Sequence, residues 1–115
     1  MSLTSVILKF ALLIIGFIAL QAHPKTFYVL NKTAFSFENL NLFGASIKKL
    51  DPGCKSGRFS FSYNPVTDDK MFYANVDSNR FASYVKLPDA ECSKFFYSID
   101  SLVNGIVFVQ IHQIR

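Results

Sequence analysis

Histidine is the side chain best suited to proton transfer near neutral pH, and this sequence holds only two, His23 and His112. His112 belongs to the segment "NGIVFVQIHQIR", residues 104–115. The segment opens with Asn104-Gly105, a pair typical of a type I′ hairpin turn, and then alternates like a β-strand. A histidine near the end of a strand is a candidate catalytic base or a candidate contact residue.

The alternation of this strand separates two faces. One set of residues is fully apolar and is expected to face the protein core: Val107, Val109 and Ile111. The other set is predicted to lie on an open face of the sheet, where a ligand can bind. The preceding segment, which pairs across the turn, is expected to add a lysine and a tyrosine to that face. The predicted contact face consists of His112, Gln110, Lys94 and Tyr97.

The sequence lacks the groups that would complete a catalytic or metal site around a lone imidazole. No Cys/His pair has zinc spacing, and no Gly-rich phosphate loop, H-E-x-x-H or G-x-S-x-G motif is present. Asp68, Asp69 and Asp77 fall in predicted turns, where aspartate commonly makes local hydrogen bonds. His23 could chelate copper only together with His112, and this is not expected. We therefore predict no metal, no cofactor and no enzymatic activity.

The first part of the chain predicts export. Lys9 precedes "FALLIIGFIAL", residues 10–20, which is as long as the apolar core of a signal peptide and about half as long as a membrane-spanning helix. Ala22 suits the cleavage position. Residues 1–22 are thus predicted to be a signal peptide, and residues 23–115 a single small secreted domain without membrane attachment. An uncleaved anchor is the alternative.

Export has consequences for the two cysteines and for one asparagine. Cys54 and Cys92 would meet an oxidising compartment, where a disulfide between them is expected. Asn31 begins an N-x-T sequence and is a candidate glycosylation site. The net charge of +4 is spread along the chain with no basic run longer than Lys48-Lys49, so DNA binding is not predicted.

Hydrophobic periodicity predicts one helix and several strands. In "SFENLNLFGASIKKL", residues 36–50, four apolar side chains fall within an arc of about 80° on a helix: Leu40, Phe43, Ile47 and Leu50. "TFYVLN", residues 26–31, and several segments after residue 57 alternate as strands: "RFSFSY", "MFYANV", "RFASYVK", "KFFYSIDSLV" and "IVFVQIHQI". The predicted fold class is α+β, with one helix packed on an antiparallel, mostly meander sheet and one disulfide.

The order of one helix, a meander and a terminal strand-turn-strand with histidine resembles the small secreted guanyl-specific ribonucleases. In that family a late strand ends in an "I-T-H" segment with a catalytic histidine, and Ile111-His112 match it in placement. The segment "FYVLNKTAFSFENLNLFGASIKKL", residues 27–50, also resembles the RNase-like effectors that powdery mildew fungi secrete. The resemblance implies an RNase-like scaffold.

The same resemblance argues against catalysis. The segment "KMFYANV", residues 70–76, carries no acid where the enzymes have a glutamate, and "SKFFYS", residues 93–98, offers Lys94 in place of an arginine. We therefore expect a non-catalytic, monomeric fungal effector, a virulence factor that is extracellular or delivered into a host cell and binds a host protein or RNA. One alternative is an active secreted ribonuclease that uses His112. The other is an unrelated, disulfide-linked, β-rich interaction protein, for which a helix-free sandwich would be the sign.

Overall fold

The computed structural model describes residues 24–114, and the predicted signal peptide, residues 1–22, and His23 lie outside the described residues. Eight β-strands make up this part of the chain, and no helix occurs in it. None of the described residues belongs to a helix long and apolar enough to cross a membrane. The strands are β1 (Lys25–Asn31), β2 (Phe37–Leu42), β3 (Ala45–Leu50), β4 (Phe59–Phe61), β5 (Met71–Val76), β6 (Asn79–Tyr84), β7 (Lys94–Val103) and β8 (Ile106–Ile114).

The strands form two four-stranded sheets. The first sheet has the order β4-β1-β7-β8 and the second has the order β3-β2-β5-β6. All neighbouring strands are antiparallel except β1 and β7, which are parallel. Buried residues of both sheets form one hydrophobic cluster between them. The fold is therefore an all-β sandwich, and the predicted α+β, RNase-like fold is wrong.

Residues 36–50 form the β2–β3 hairpin instead of a helix. The four apolar residues assigned to the helix are all buried, so their burial was predicted although the element was not. The spacing misled for three reasons: Phe43 is buried although it lies in the turn, two exposed lysines separate Ile47 from Leu50 in β3, and β2 carries an irregularity against β5, where Asn39 has a φ of 48°. Glu38 and Asn39 are consecutive exposed residues, which lengthens the apolar spacing from two residues to three. A bulged strand thus reproduces the spacing of a helix.

An unusual turn joins β2 to β3. Phe43 and Gly44 have φ values of 50° and 79°, the sign that a type I′ turn requires at both central positions. A phenylalanine is strained at positive φ, but its ring packs edge-on against Phe61 at 5.1 Å and Tyr63 at 5.9 Å between centroids. The turn of one sheet is therefore anchored in the core that both sheets share.

The other hairpins follow the sequence closely. Asn104 and Gly105 have φ values of 52° and 75°, which confirms the predicted type I′ turn between β7 and β8. Asp77 and Ser78 form an equivalent turn between β5 and β6, with φ values of 49° and 70°. The predicted strands "MFYANV", "KFFYSIDSLV" and "IVFVQIHQI" are β5, β7 and β8. Alternation predicts these strands correctly because the residues between them also favour tight turns.

The predicted disulfide is also wrong: Cys54 is exposed, Cys92 is buried, and both are free. Backbone hydrogen bonds place them beside opposite ends of β1. The Asn31 N–H donates to the Cys54 carbonyl at 2.9 Å, whereas the Thr26 N–H donates to the carbonyl of Ser93 at 3.0 Å. The intervening stretch of extended strand measures roughly 16 Å at about 3.3 Å per residue. A disulfide requires Cα atoms within about 7 Å, so this fold keeps the two thiols apart.

Candidate functional site

The outer face of the first sheet, turned away from the second sheet, carries a row of three stacked rings. Tyr28 in β1, Phe96 in β7 and His112 in β8 are in register across the sheet. The Tyr28 and Phe96 centroids are 4.9 Å apart with planes inclined by 2°, and those of Phe96 and His112 are 4.6 Å apart with planes inclined by 12°. These distances match the spacing of neighbouring strands, so the rings lie face to face. We call these three residues the aromatic ladder.

A lysine covers one end of the aromatic ladder. The Lys55 Nζ atom lies 5.5 Å from the centre of the Tyr28 ring, within cation–π range. Lys55 reaches this place because it forms an isolated antiparallel bridge with Leu30 of β1. The opposite end of the ladder is His112, on the edge strand β8.

A chain of polar groups runs beside the aromatic ladder. The His112 Nε2 atom is 2.8 Å from the Ser98 Oγ atom, and the Ser98 hydroxyl donates to Asp100 Oδ1 at 2.6 Å. Since the hydroxyl proton points to the carboxylate, Ser98 must accept from His112, which places a proton on Nε2. Lys32 Nζ lies 3.9 Å from the same Asp100 oxygen. The imidazole is therefore held in one orientation.

Asp100 lies at a bulge in β7. The pairing of Ile99 with Val109 is followed by the pairing of Ser101 with Phe108, so Asp100 is an extra residue in the strand. Bulges often redirect side chains near functional sites. Neither Ser98 nor Asp100 was predicted from the sequence to belong to the site. The available signal was two polar residues at alternate positions, on the same side of the strand as Phe96.

The order of these polar groups differs from that of a nucleophilic triad. In such triads a histidine lies between serine and aspartate and removes the serine proton. Here Ser98 lies between His112 and Asp100, and Ser98 has no exposed surface. The arrangement orients the imidazole and does not activate Ser98 towards a substrate.

Three of the four predicted contact residues lie on the outer face, and one does not. Gln110 and Lys94 are exposed, and His112 is half-buried in the aromatic ladder. Tyr97 is a core residue with no exposed surface, so its assignment to the contact face is wrong. It alternates with Phe96 and therefore points inward, where its hydroxyl donates to the Lys86 carbonyl at 2.6 Å. Burial raises the pKa of Tyr97 well above its ordinary value.

Asn31, the candidate glycosylation site, is an internal hydrogen-bonding residue in this fold. It has no exposed surface, and its Nδ2 atom donates to the Phe35 carbonyl at 2.6 Å and to the Leu50 carbonyl at 3.0 Å. Its Oδ1 atom accepts from the Thr33 amide and hydroxyl at 3.0 and 2.7 Å. A glycan replaces one of the two hydrogens on Nδ2, so it would remove one of the donated bonds, and the fully buried side chain leaves no space for the sugar.

Two of the depressions in the described part of the chain lie beside tyrosines, one at Tyr28 and one at Tyr73. A narrow groove beside Tyr28 has a volume of about 30 Å³, enough for about one water molecule, and Arg58 and Lys94 contribute to its lining. A larger pocket of about 190 Å³ near the β2–β3 turn includes Asp69. The Tyr73 hydroxyl donates to Asp69 Oδ2 at 2.6 Å, and this hydrogen bond raises the pKa of Tyr73. Within residues 24–114, no three His, Cys, Asp or Glu side chains are grouped so that they could hold a metal ion.

Comparison with known proteins assigns no family. No protein-family model matches the chain, and no curated protein matches it. A protein from Eubacterium rectale, solved by NMR, is similar in structure with a TM-score of 0.45 and 17% sequence identity. The match covers 80% of this chain and 89% of that one. A likeness of this degree carries no argument about function.

Proposed function

We propose that the protein is an exported, non-catalytic binding module that contacts a partner protein through the outer face of its first sheet. The observation that carries this proposal is the aromatic ladder. Tyr28, Phe96 and His112 present a continuous, only half-buried aromatic surface on a rigid sheet. Aromatic residues are enriched in protein interfaces, and a prearranged surface loses little conformational entropy on binding.

The ring geometry favours a protein partner over RNA. Single-stranded nucleic acid binds by laying its bases on open ring faces. In the aromatic ladder the faces of Tyr28 and Phe96 are covered by neighbouring rings or by Lys55, and the ring edges point outward. An edge surface suits contact with apolar side chains of a protein more than base stacking.

Charge around the aromatic ladder indicates the character of the partner surface. Lys55 lies over one end of the ladder, Arg58 and Lys94 line the adjacent groove, and all three are exposed. Asp100 is the acidic group at the ladder, and it already faces Lys32. An aromatic centre with a basic rim complements a partner surface that combines apolar and acidic side chains.

The predicted role as an effector that acts on a host has less support than the binding of a partner protein. The effector and ribonuclease comparisons rested on a helix followed by a meander, and the helix-free sandwich removes that basis. Export still rests on the apolar segment at residues 10–20. We therefore propose a partner that is met outside the producing cell.

Site-specific photo-crosslinking of the purified protein tests the proposed face. A crosslinker at Ser60, an exposed residue of β4 that pairs with Thr26 on the outer face, should capture the partner from extracellular material, whereas one at the exposed Ser46 of β3 should not. Lys55→Glu combined with Lys94→Glu should reduce capture strongly. The matched control is Lys48→Glu combined with Lys49→Glu, which makes the same charge change on exposed residues of the second sheet. Equal capture by both double variants would contradict the proposal.

RNA binding and cleavage are tested with the same preparation. We expect neither retention nor turnover of single-stranded RNA by the wild type. Cleavage that disappears in His112→Ala would establish the ribonuclease alternative. Binding without cleavage that depends on His112 would instead make RNA the ligand of this face.

A further inference from the structure

Strand β8 forms an edge of the first sheet that is open to pairing. It is nine residues long and pairs only with β7 among the described strands. Strand β6 of the second sheet passes beside it without backbone pairing. Natural edge strands are usually protected by lysine, proline, a bulge or short length. The sequence "IVFVQIHQI" has no proline, lysine, arginine, aspartate or glutamate, and the bulge of this hairpin lies in β7.

The hairpin geometry shows which backbone groups of β8 face the open edge. Val103 and Ile106 flank a two-residue turn and form its closing pair. The residues that close such a turn are hydrogen-bonded to each other, and bonding to the same neighbour recurs at every second residue. Ile106 and the even-numbered residues after it therefore bond to β7. The open edge carries the amides and carbonyls of Val107, Val109, Ile111 and Gln113.

The side chains of β8 are complementary to those of a second β8. In an antiparallel pair centred on Gln110, the two Gln110 residues face each other. Ile106 then faces Ile114, and Phe108 faces His112. In this register the odd-numbered residues of the two strands lie opposite each other. Their open-edge amides and carbonyls can therefore form the hydrogen-bonded pairs of an antiparallel ladder. The exposed apolar residues of the strand, Ile106 at 55%, Phe108 at 50% and Ile114 at 45%, all find apolar or aromatic partners in this register.

We propose that β8 is a self-association edge, through which two copies of the chain pair antiparallel about a two-fold axis at Gln110. The Phe108 ring of one copy then lies against the open face of His112 in the other, which extends the aromatic ladder across the interface. A second copy is favoured over an unrelated extended peptide, because in this register the open backbone groups of β8 bond to those of the other copy. The exposed apolar side chains of β8 also find apolar or aromatic partners on the same strand of that copy. This association is independent of whether the outer face binds another protein.

Charge reversal at the two-fold axis provides the main test. Gln110 is exposed, so Gln110→Lys and Gln110→Glu leave the folded monomer intact but place like charges directly opposite each other in the dimer. Light scattering on the full chain purified after secretion should show dimers for the wild type and monomers for each variant. Mixing the two variants in equal amounts should restore the dimer mass, since Lys then faces Glu.

Controls and a second measurement make the outcome decisive. Ser46→Lys and Ser46→Glu change the exposed second sheet in the same way and should stay dimeric. In hydrogen exchange, the Val109 and Ile111 amides should be protected in the wild type and should exchange faster in Gln110→Lys. A wild type that is monomeric at every concentration would overturn the proposal. So would a dimer that both Gln110 variants retain.

Discussion

The ring of Phe43, in the turn of the second sheet, meets the ring of Phe61, in the first sheet, edge-on with 5.1 Å between centroids. Phe43 also contacts Phe27 and Tyr97 across the core, at 6.2 and 6.0 Å. One turn residue thereby joins β1, β4 and β7 to the β2–β3 hairpin. The contact explains why a phenylalanine occupies a backbone conformation that normally selects asparagine or glycine.

Phe43→Ala should therefore lower the free energy of unfolding by about 3–5 kcal/mol, because it leaves a cavity without relieving the positive φ. Phe43→Asn relieves the strain but removes the same ring, and it should still be clearly less stable than the wild type. Urea denaturation measures both. Phe35→Ala, at an exposed phenylalanine, is the control and should have little effect. A Phe43→Asn variant at least as stable as the wild type would contradict the anchoring role.

Asn31→Asp should destabilise the protein strongly. It replaces the Nδ2 donor with an oxygen that faces the carbonyls of Phe35 and Leu50 at a fully buried position. Buried polar atoms left without partners cost about 1–3 kcal/mol each, and more when charged. Denaturation of Asn31→Asp beside Asn41→Asp, at an exposed asparagine of β2, measures the difference. Similar stability of the two variants would contradict the role of Asn31 as a buried hydrogen-bonding residue. So would a glycan attached to Asn31 in the folded wild-type protein.

Native thiol labelling should distinguish the two cysteines. Without reductant, Cys54 is exposed and should alkylate in the folded protein, whereas Cys92 is 7% exposed and should react only after unfolding. Mass spectrometry should count one adduct in the native state and two in denaturant. Denatured, unreduced protein that takes up no reagent would mean that the two cysteines are bonded to each other after all.

Lys25→Met should make Cys92 more reactive. The Lys25 ammonium donates to the carbonyls of Asp89, Ala90 and Cys92 and so ties the loop before β7 to the start of β1. Without these charge-assisted bonds the loop should open more often. The rate of Cys92 alkylation in the folded protein measures this opening. Lys48→Met removes an exposed lysine elsewhere and should leave the rate unchanged.

Alkaline pH should weaken the fold partly through Tyr97. Burial raises the pKa of Tyr97 above the ordinary value of about 10, so above that pH the unfolded phenol loses its proton while the folded one keeps it. The contribution is complete below about pH 10 and declines as the pH rises from there. Tyr97→Phe should be less stable at pH 8 by about 1 kcal/mol, because it loses the bond to the Lys86 carbonyl, and the gap should narrow towards pH 11.

Denaturation across this pH range should show no such convergence for Tyr84→Phe, because Tyr84 is 81% exposed. A stability gap between wild type and Tyr97→Phe that stays constant up to pH 11 would contradict the assignment of a buried neutral phenol.

The alternation of apolar and polar residues was enough to predict much of the site. The outward position of His112 and Gln110 follows from the apolar set that precedes them, and the structure keeps Val107, Val109 and Ile111 at the core. The same rule applied to β7 from its buried phenylalanine, Phe95, would have placed Tyr97 inside. Alternation also places Ser98 and Asp100 on the outer face, but the hydrogen bonds that join them to His112 depend on the pairing of β7 with β8, which the sequence does not define.

The sequence by itself determined the features that depend on near neighbours: the strands of period two, the Asn104-Gly105 turn and the burial of the apolar residues in 36–50. The tertiary structure alone decided which element those residues form, because the bulge in β2, the buried turn residue Phe43 and the two exposed lysines of β3 together make the spacing of the hairpin resemble that of a helix. It also decided the separation of Cys54 from Cys92 and the stacking of Tyr28, Phe96 and His112. Side-chain spacing is a local property, whereas strand order and register are set by contacts between segments far apart in the chain.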